Sequence, residues 1–139
     1  MKPILTALLA ITLLCAPFTS ASAGTKMDKR HAYVLQNLKL DKKTEAAFSP
    51  ILMGYLKAKK EANKAYDDLK DKYKSMEKAG TLTDGQATQL LDAKLACDAK
   101  ELEVKKQYYE EFKKILKPKK IWYAFDLAND KMSKIDGKD

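Results

Sequence analysis

The chain has 139 residues, with 27 Lys+Arg against 19 Asp+Glu and a formal net charge of +8. That length holds one domain, or one domain with a targeting segment. With 45% hydrophobic and 33% charged residues, five Gly and four Pro, the composition excludes a disordered chain, a collagen-like repeat and a disulfide scaffold.

Residues 1–23 differ in kind from the rest. Lys2 is their single charge, and an apolar run covers 4–14. That run has the length of a signal-peptide core and is too short to cross a bilayer. Pro17 ends it, and Ala21-Ser22-Ala23 fits the small-x-small rule for cleavage after Ala23. Two other readings stand beside it. One is a retained anchor. The other is a lipoprotein built on Cys15, although Leu13-Leu14 before it are not the small residues of a lipid-attachment site. The expected domain is therefore 24–139, exported and soluble. Once Cys15 has left with the signal, Cys97 has no intrachain partner. It is expected as a buried small hydrophobe, with a disulfide-linked dimer as the alternative.

The exported part reads as all-α, because Val and Ile are scarce and apolar-polar alternation never persists. A short helix is expected over 29–38. Asp41 is placed to cap the next helix, with Leu40 as the apolar staple before it. Pro50 falls either within that helix's first turns or at a break. The helix then runs to about residue 78, and Ala79-Gly80 ends it. Thr83 and Gln86 form a capping-box pattern with Leu82 as staple. A third helix is expected over 84–116, and Pro118 starts a fourth that ends near residue 134. The tail 136–139 is expected to fray. The two long helices, joined by a tight turn, must lie antiparallel as a long hairpin.

Steps of four and three along the second helix select Phe48, Leu52, Tyr55, Lys59, Ala62, Tyr66, Leu69, Tyr73 and Met76. That is a heptad seam with one polar interruption, Lys59. The third helix carries two rows. One is Leu95, Leu102, Tyr109 and Leu116, and the other is Leu90, Cys97 and Val104, continuing to Tyr108 and Ile115. Such a wide apolar face suits a helix that touches more than one element. Asp68–Lys72, Glu101–Lys105 and Glu110–Lys114 are acid-before-base pairs at four-residue spacing. Aromatic side chains on these faces serve either as core and dimer contact or as an open binding surface, and Tyr suits both.

The order of signal peptide, short helix, Leu-led turn, helical hairpin, second Leu-led turn and last helix resembles the Spy/CpxP superfamily of periplasmic stress proteins. The likeness is closest to members from Bacteroidetes, through the stretch 108–120. The family's motif is L-T-x-x-Q, used twice. Here the copies are Leu40-Asp41-Lys42-Lys43-Thr44 and Leu116-Lys117-Pro118-Lys119-Lys120. Each keeps the leading Leu, while Thr44 and Lys120 replace Gln. The resemblance covers residues 32–131. It implies four helices in a thin, curved cradle, a homodimer, and a concave face that binds unfolded or partly folded proteins without ATP. Some relatives instead partner a sensor kinase or a sigma-factor pathway, or bind zinc.

Chemistry has few candidates. His31 is the only histidine and is expected to be solvated in a mobile N-terminal segment, so no usual zinc set and no nucleophile-His-acid set can be assembled. Phosphate-binding glycine motifs are absent from the sequence. No catalysis, cofactor, metal or nucleic-acid partner is expected. The lysines at 57–64 and 113–120 are either a solvated surface or a capture device for acidic clients or anionic lipid surfaces. The expected function is an exported, ATP-independent chaperone-like protein of envelope stress in the periplasm. Tyr55, Lys59, Tyr66 and Tyr73 are its expected client contacts. The alternatives are a regulatory partner in envelope-stress signalling and a structural coiled-coil module.

Overall fold

The computed structural model describes residues 25–138. The expected signal peptide, the expected cleavage after Ala23 and Cys15 therefore lie outside the described residues. Among these there are five α-helices and no strand. They are α1 (Lys26–Leu38), α2 (Lys42–Ala79), α3 (Asp84–Lys113), α4 (Pro118–Ala128) and α5 (Met132–Ile135). At 1.5 Å per residue α2 is about 57 Å long and α3 about 45 Å.

The helix starts follow local chemistry. Thr25 caps α1, three residues ahead of the expected start, by accepting from the Asp28 N–H at 3.1 Å. Asp41 caps α2 through the Thr44 N–H at 3.2 Å, and the Thr44 hydroxyl donates to its other carboxylate oxygen at 2.5 Å. Those bonds, the hydroxyl's first, hold the Asp41 carboxyl below its usual pKa. Thr83 and Gln86 close the reciprocal capping box of α3. Gly80 ends α2 at φ 71°, and the Thr81 N–H reaches back to the Met76 carbonyl at 2.9 Å. Three residues separate that glycine from α3, so the chain reverses at once and α3 packs along α2.

Pro50 takes the first of its two expected places, in the third turn of α2, which runs straight through it. Pro50 and Ala46 are both exposed, so the carbonyl that loses its N–H partner can face water. The chain departs from the sequence expectation in three places beyond the early start of α1. The third helix stops at Lys113 instead of near 116, and a turn carries Leu116 into the core. The expected fourth helix is two helices, giving five in place of four. Arg30 Nη1 donates to the carbonyls of Ala128 at 2.6 Å and Asp130 at 2.7 Å, which holds the chain where it leaves the helix. The tail is also held at its start, by an ion pair of Lys29 with Asp136 at 3.3 Å.

The core lies at one end of the hairpin. There α1 and α4 cover its open end, burying Val34, Leu38, Phe48, Leu52, Phe112 and Ile121, among others. Phe48 and Phe112 are fully buried and meet edge to face with centroids 4.9 Å apart. Towards the turn the hairpin is two helices alone, and Ala62, Tyr73 and Cys97 are its buried hydrophobic residues. Cys97 is 2% exposed, and its thiol donates to the Asn63 side-chain oxygen at 2.7 Å. Burial pushes the Cys97 thiol pKa up.

Candidate functional site

The seam of α2 forms as the sequence spacing requires, and this decides the fate of the expected contact residues. Tyr55 is 3% exposed. Its ring is boxed by Tyr108 at 5.7 Å, Phe112 at 5.8 Å and Phe125 at 5.4 Å. Burial, with a smaller push from Glu101, raises its hydroxyl pKa to about 12. Tyr73 is 6% exposed and donates to the Gln89 side-chain oxygen at 2.6 Å. Both rings hold the hairpin together, so a client could reach them only by opening it. Tyr66 is half-buried, with the ammonium groups of Lys94 and Lys70 5.4 and 5.7 Å from its ring centre. Lys59 is half-buried too, and its ammonium donates to the Asn129 side-chain oxygen. Burial lowers the Lys59 pKa, and Glu101 partly restores it. Of the four expected contacts, Lys59 and Tyr66 alone keep an accessible face.

The two Leu-led turns come together. Leu40 packs on the core cluster that contains Leu116. Pro118 opens α4 at a position where its missing N–H costs nothing. The Lys120 ammonium crosses to α1 and donates to the Leu38 carbonyl, an end group that no helical N–H can satisfy. Asp41 and Thr44 cap α2. These six positions build the joint between α1, α2 and α4.

His31 is not a solvated side chain. Its Nε2 lies 2.9 Å from the Ser49 carbonyl oxygen and 3.1 Å from the Ser49 hydroxyl, pinning α1 to α2.

The accessible apolar surface is elsewhere. On α3, Leu91 is 65% exposed, Leu95 68%, Leu102 52% and Tyr109 46%. At 100° per residue they fall within about 40° of one another, roughly 130° around the helix from the row that meets α2. That inner row is Leu90, Cys97, Val104, Tyr108 and Phe112, so of the two expected rows Leu95–Leu102–Tyr109 faces solvent, while Leu116, expected with it, is buried. On α4, Ile121, Ala124 and Ala128 point inward, while Trp122 is 72% exposed and Tyr123 44%. The Lys113 ammonium sits 4.7 Å over the Tyr109 ring. The acid-before-base pairs expected from spacing are not those the chain forms. Lys64–Asp68 at 3.0 Å, Lys94–Asp98 at 2.7 Å and Glu110–Lys113 at 2.5 Å form instead. Exposed long side chains choose among several neighbours at little cost.

Spacing identified the Leu95–Leu102–Tyr109 row but not the side it faces. The periodicity of α4 leaves Trp122 and Tyr123 off its inward stripe, and that signal was present in the sequence.

The fold and this surface define an all-α helical-hairpin protein with an uncovered apolar stripe. No family model, curated protein or solved structure matches the chain significantly.

Proposed function

We propose that the chain is an exported, ATP-independent chaperone-like protein that holds unfolded or partly folded periplasmic proteins during envelope stress, in the manner of the Spy/CpxP proteins it resembles. The observation that carries this reading is the exposed row Leu91, Leu95, Leu102 and Tyr109 on α3. Large apolar side chains in one line on a water-facing helix mark a surface used for association. An open row offers loose, sequence-tolerant contact, which suits clients that share exposed apolar residues and no common fold. The lysines at 113–120, at the end of the same helix, would draw acidic clients at long range and release them as salt rises.

A homodimer is a second use of the same row, because Leu95, Leu102 and Tyr109 repeat every seven residues. In that arrangement the pair forms the thin, curved cradle, and Trp122 and Tyr123 on α4 are left for clients. A regulatory partner in envelope-stress signalling would use the same surface for one membrane-bound protein.

The test is light scattering of a denatured model protein as it aggregates, with this protein added and ATP omitted. Suppression near one dimer per client, weakened by salt, supports the reading. No suppression at several-fold excess contradicts it and favours a single specific partner, which crosslinking in the membrane fraction would then recover.

A further inference from the structure

We propose that the groove between α1, α2 and α5 binds a single-chain carboxylate amphiphile, a free fatty acid, with its head at Lys59 and Asn129. The groove is half open to solvent and holds about 800 Å³, within the range of small-molecule sites. Its apolar lining is Met27 from α1, Met53 and Leu56 from α2, Ala128 and Met132. Methionine is unbranched and polarisable, and adapts its shape to a flexible chain.

Charge selects the head group. Lys26, Arg30, Lys57, Lys59 and Lys60 line the groove against two carboxylates, Asp28 and Asp67. Asp28 is already engaged, since the Thr25 hydroxyl donates to it at 2.6 Å. Lys59 carries the argument furthest. It is half-buried, and its hydrogen-bond partner is a neutral amide oxygen, that of Asn129. Among the described residues no carboxylate forms an ion pair with its ammonium; Glu101 acts on it only from a longer distance and is itself held by the Asn63 side-chain N–H at 2.5 Å. A cation drawn out of water without a close counter-ion favours an anion from outside. The Asn129 side-chain N–H groups stand beside it as further donors. Two donors of this kind can hold the two oxygens of one carboxylate.

Size distinguishes an acyl chain from a peptide. A helix with its side chains is about 10–12 Å across, and three turns of it occupy well over 1,000 Å³. The half-open groove cannot bury that volume, so a helix laid on it would leave most of its surface in water. An extended peptide has no sheet edge here to pair with, because the walls are helices whose backbone groups are already bonded. The groove shares no residue with the α3 row, although Lys59 and Asn129 also border Leu102 in a smaller cleft; the titration uses no client protein, so its failure and that of the chaperone reading are distinguishable.

The experiment is calorimetric titration of the purified protein with decanoate below its micelle concentration, and with decanol as the uncharged probe. One saturable decanoate site is expected, tighter than decanol. Lys59→Met should weaken decanoate about tenfold, the worth of one charge-assisted hydrogen bond, and leave decanol unchanged. Asn129→Ala, at an exposed position that does not threaten folding, should weaken decanoate in the same sense. Met53→Gln should weaken both probes. The proposal is overturned if decanoate does not saturate, if it binds no better than decanol, or if both head-group variants bind as the parent does. A glutamate-rich peptide that binds and is not displaced by decanoate would also overturn it and assign the groove to acidic protein segments.

Discussion

The Lys120 ammonium donates to the Leu38 carbonyl, joining the start of α4 to the end of α1. Lys39 next to it is the left-handed cap of α1, at φ 52°. One long side chain from the second Leu-led turn thus satisfies the helix end that precedes the first. Replacing Lys120 by Met keeps the stem and removes the donor. It should cost about 1 kcal/mol, read as a lower urea midpoint, and Lys120→Arg should recover most of it. An unchanged midpoint in the Met variant would show that the bond is not made in solution.

Gly54 of α2 leaves room for the Tyr108 side chain of α3. A Cβ there would stand 2.9 Å from the Tyr108 hydroxyl oxygen and 3.4 Å from its ring. Gly54→Ala gains helix propensity but should lose about 1–3 kcal/mol to overpacking. Adding Tyr108→Phe removes the nearest atom and should restore part of the loss. A thermal melt of the two single variants and the double variant gives the coupling directly.

Alkaline pH should unfold the protein partly through Tyr55. Its pKa is 10.0 when unfolded and about 12 when folded. Below pH 10 both states hold the proton and the stabilisation is complete. Between pH 10 and about 12 the unfolded state ionises first, so stability falls. Lys59 acts in the opposite sense, because its pKa is lowered on folding. Its burial cost is present at low pH and fades as pH rises towards 10.5. Tyr55→Phe should flatten the decline above pH 10, as followed by urea midpoints at several pH values. A decline as steep as in the parent would contradict the assignment.

Cys97 should be a silent thiol. At 2% exposure and with a raised pKa, it should react with a disulfide reagent only as fast as the hairpin opens. In urea the reaction should be immediate. The protein should run as a monomer band on a non-reducing gel. A disulfide dimer formed under native conditions would show that α2 and α3 separate readily.

Local chemistry was legible in the sequence, and long-range choices were not. Asp41, and Thr83 with Gln86, announce helix starts because a cap needs only its next three residues. The α2 seam was readable because the 3.5-residue repeat carries five buried side chains. The α3 helix was harder, because its apolar residues lie on two faces. Periodicity alone cannot choose between Leu95–Leu102–Tyr109 and Leu90–Cys97–Val104. The choice falls to the second row, where Tyr108 sits against Gly54 and Cys97 meets Asn63. The break after Ala128 depends on Arg30, 98 residues away in sequence. The seam spacing places Tyr55 and Tyr73 on the apolar face without deciding whether that face is covered, and the packing of Phe112 and Phe125 on one and the Gln89 bond of the other explain why they are core. The groove at α5 depends on three methionines far apart in the chain, which no local pattern connects.

The account rests on the exposed α3 row as a holding surface, and one comparison tests it most directly. Leu95→Glu with Leu102→Glu changes two water-facing side chains and should leave helicity and the melting temperature nearly unchanged. The double variant should lose most of its ability to suppress client aggregation in light scattering without ATP. Trp122→Glu, scored in the same assay, separates the α3 row from α4. If the Leu95/Leu102 variant suppresses aggregation as well as the parent, the α3 row is not the holding surface and the central claim is wrong.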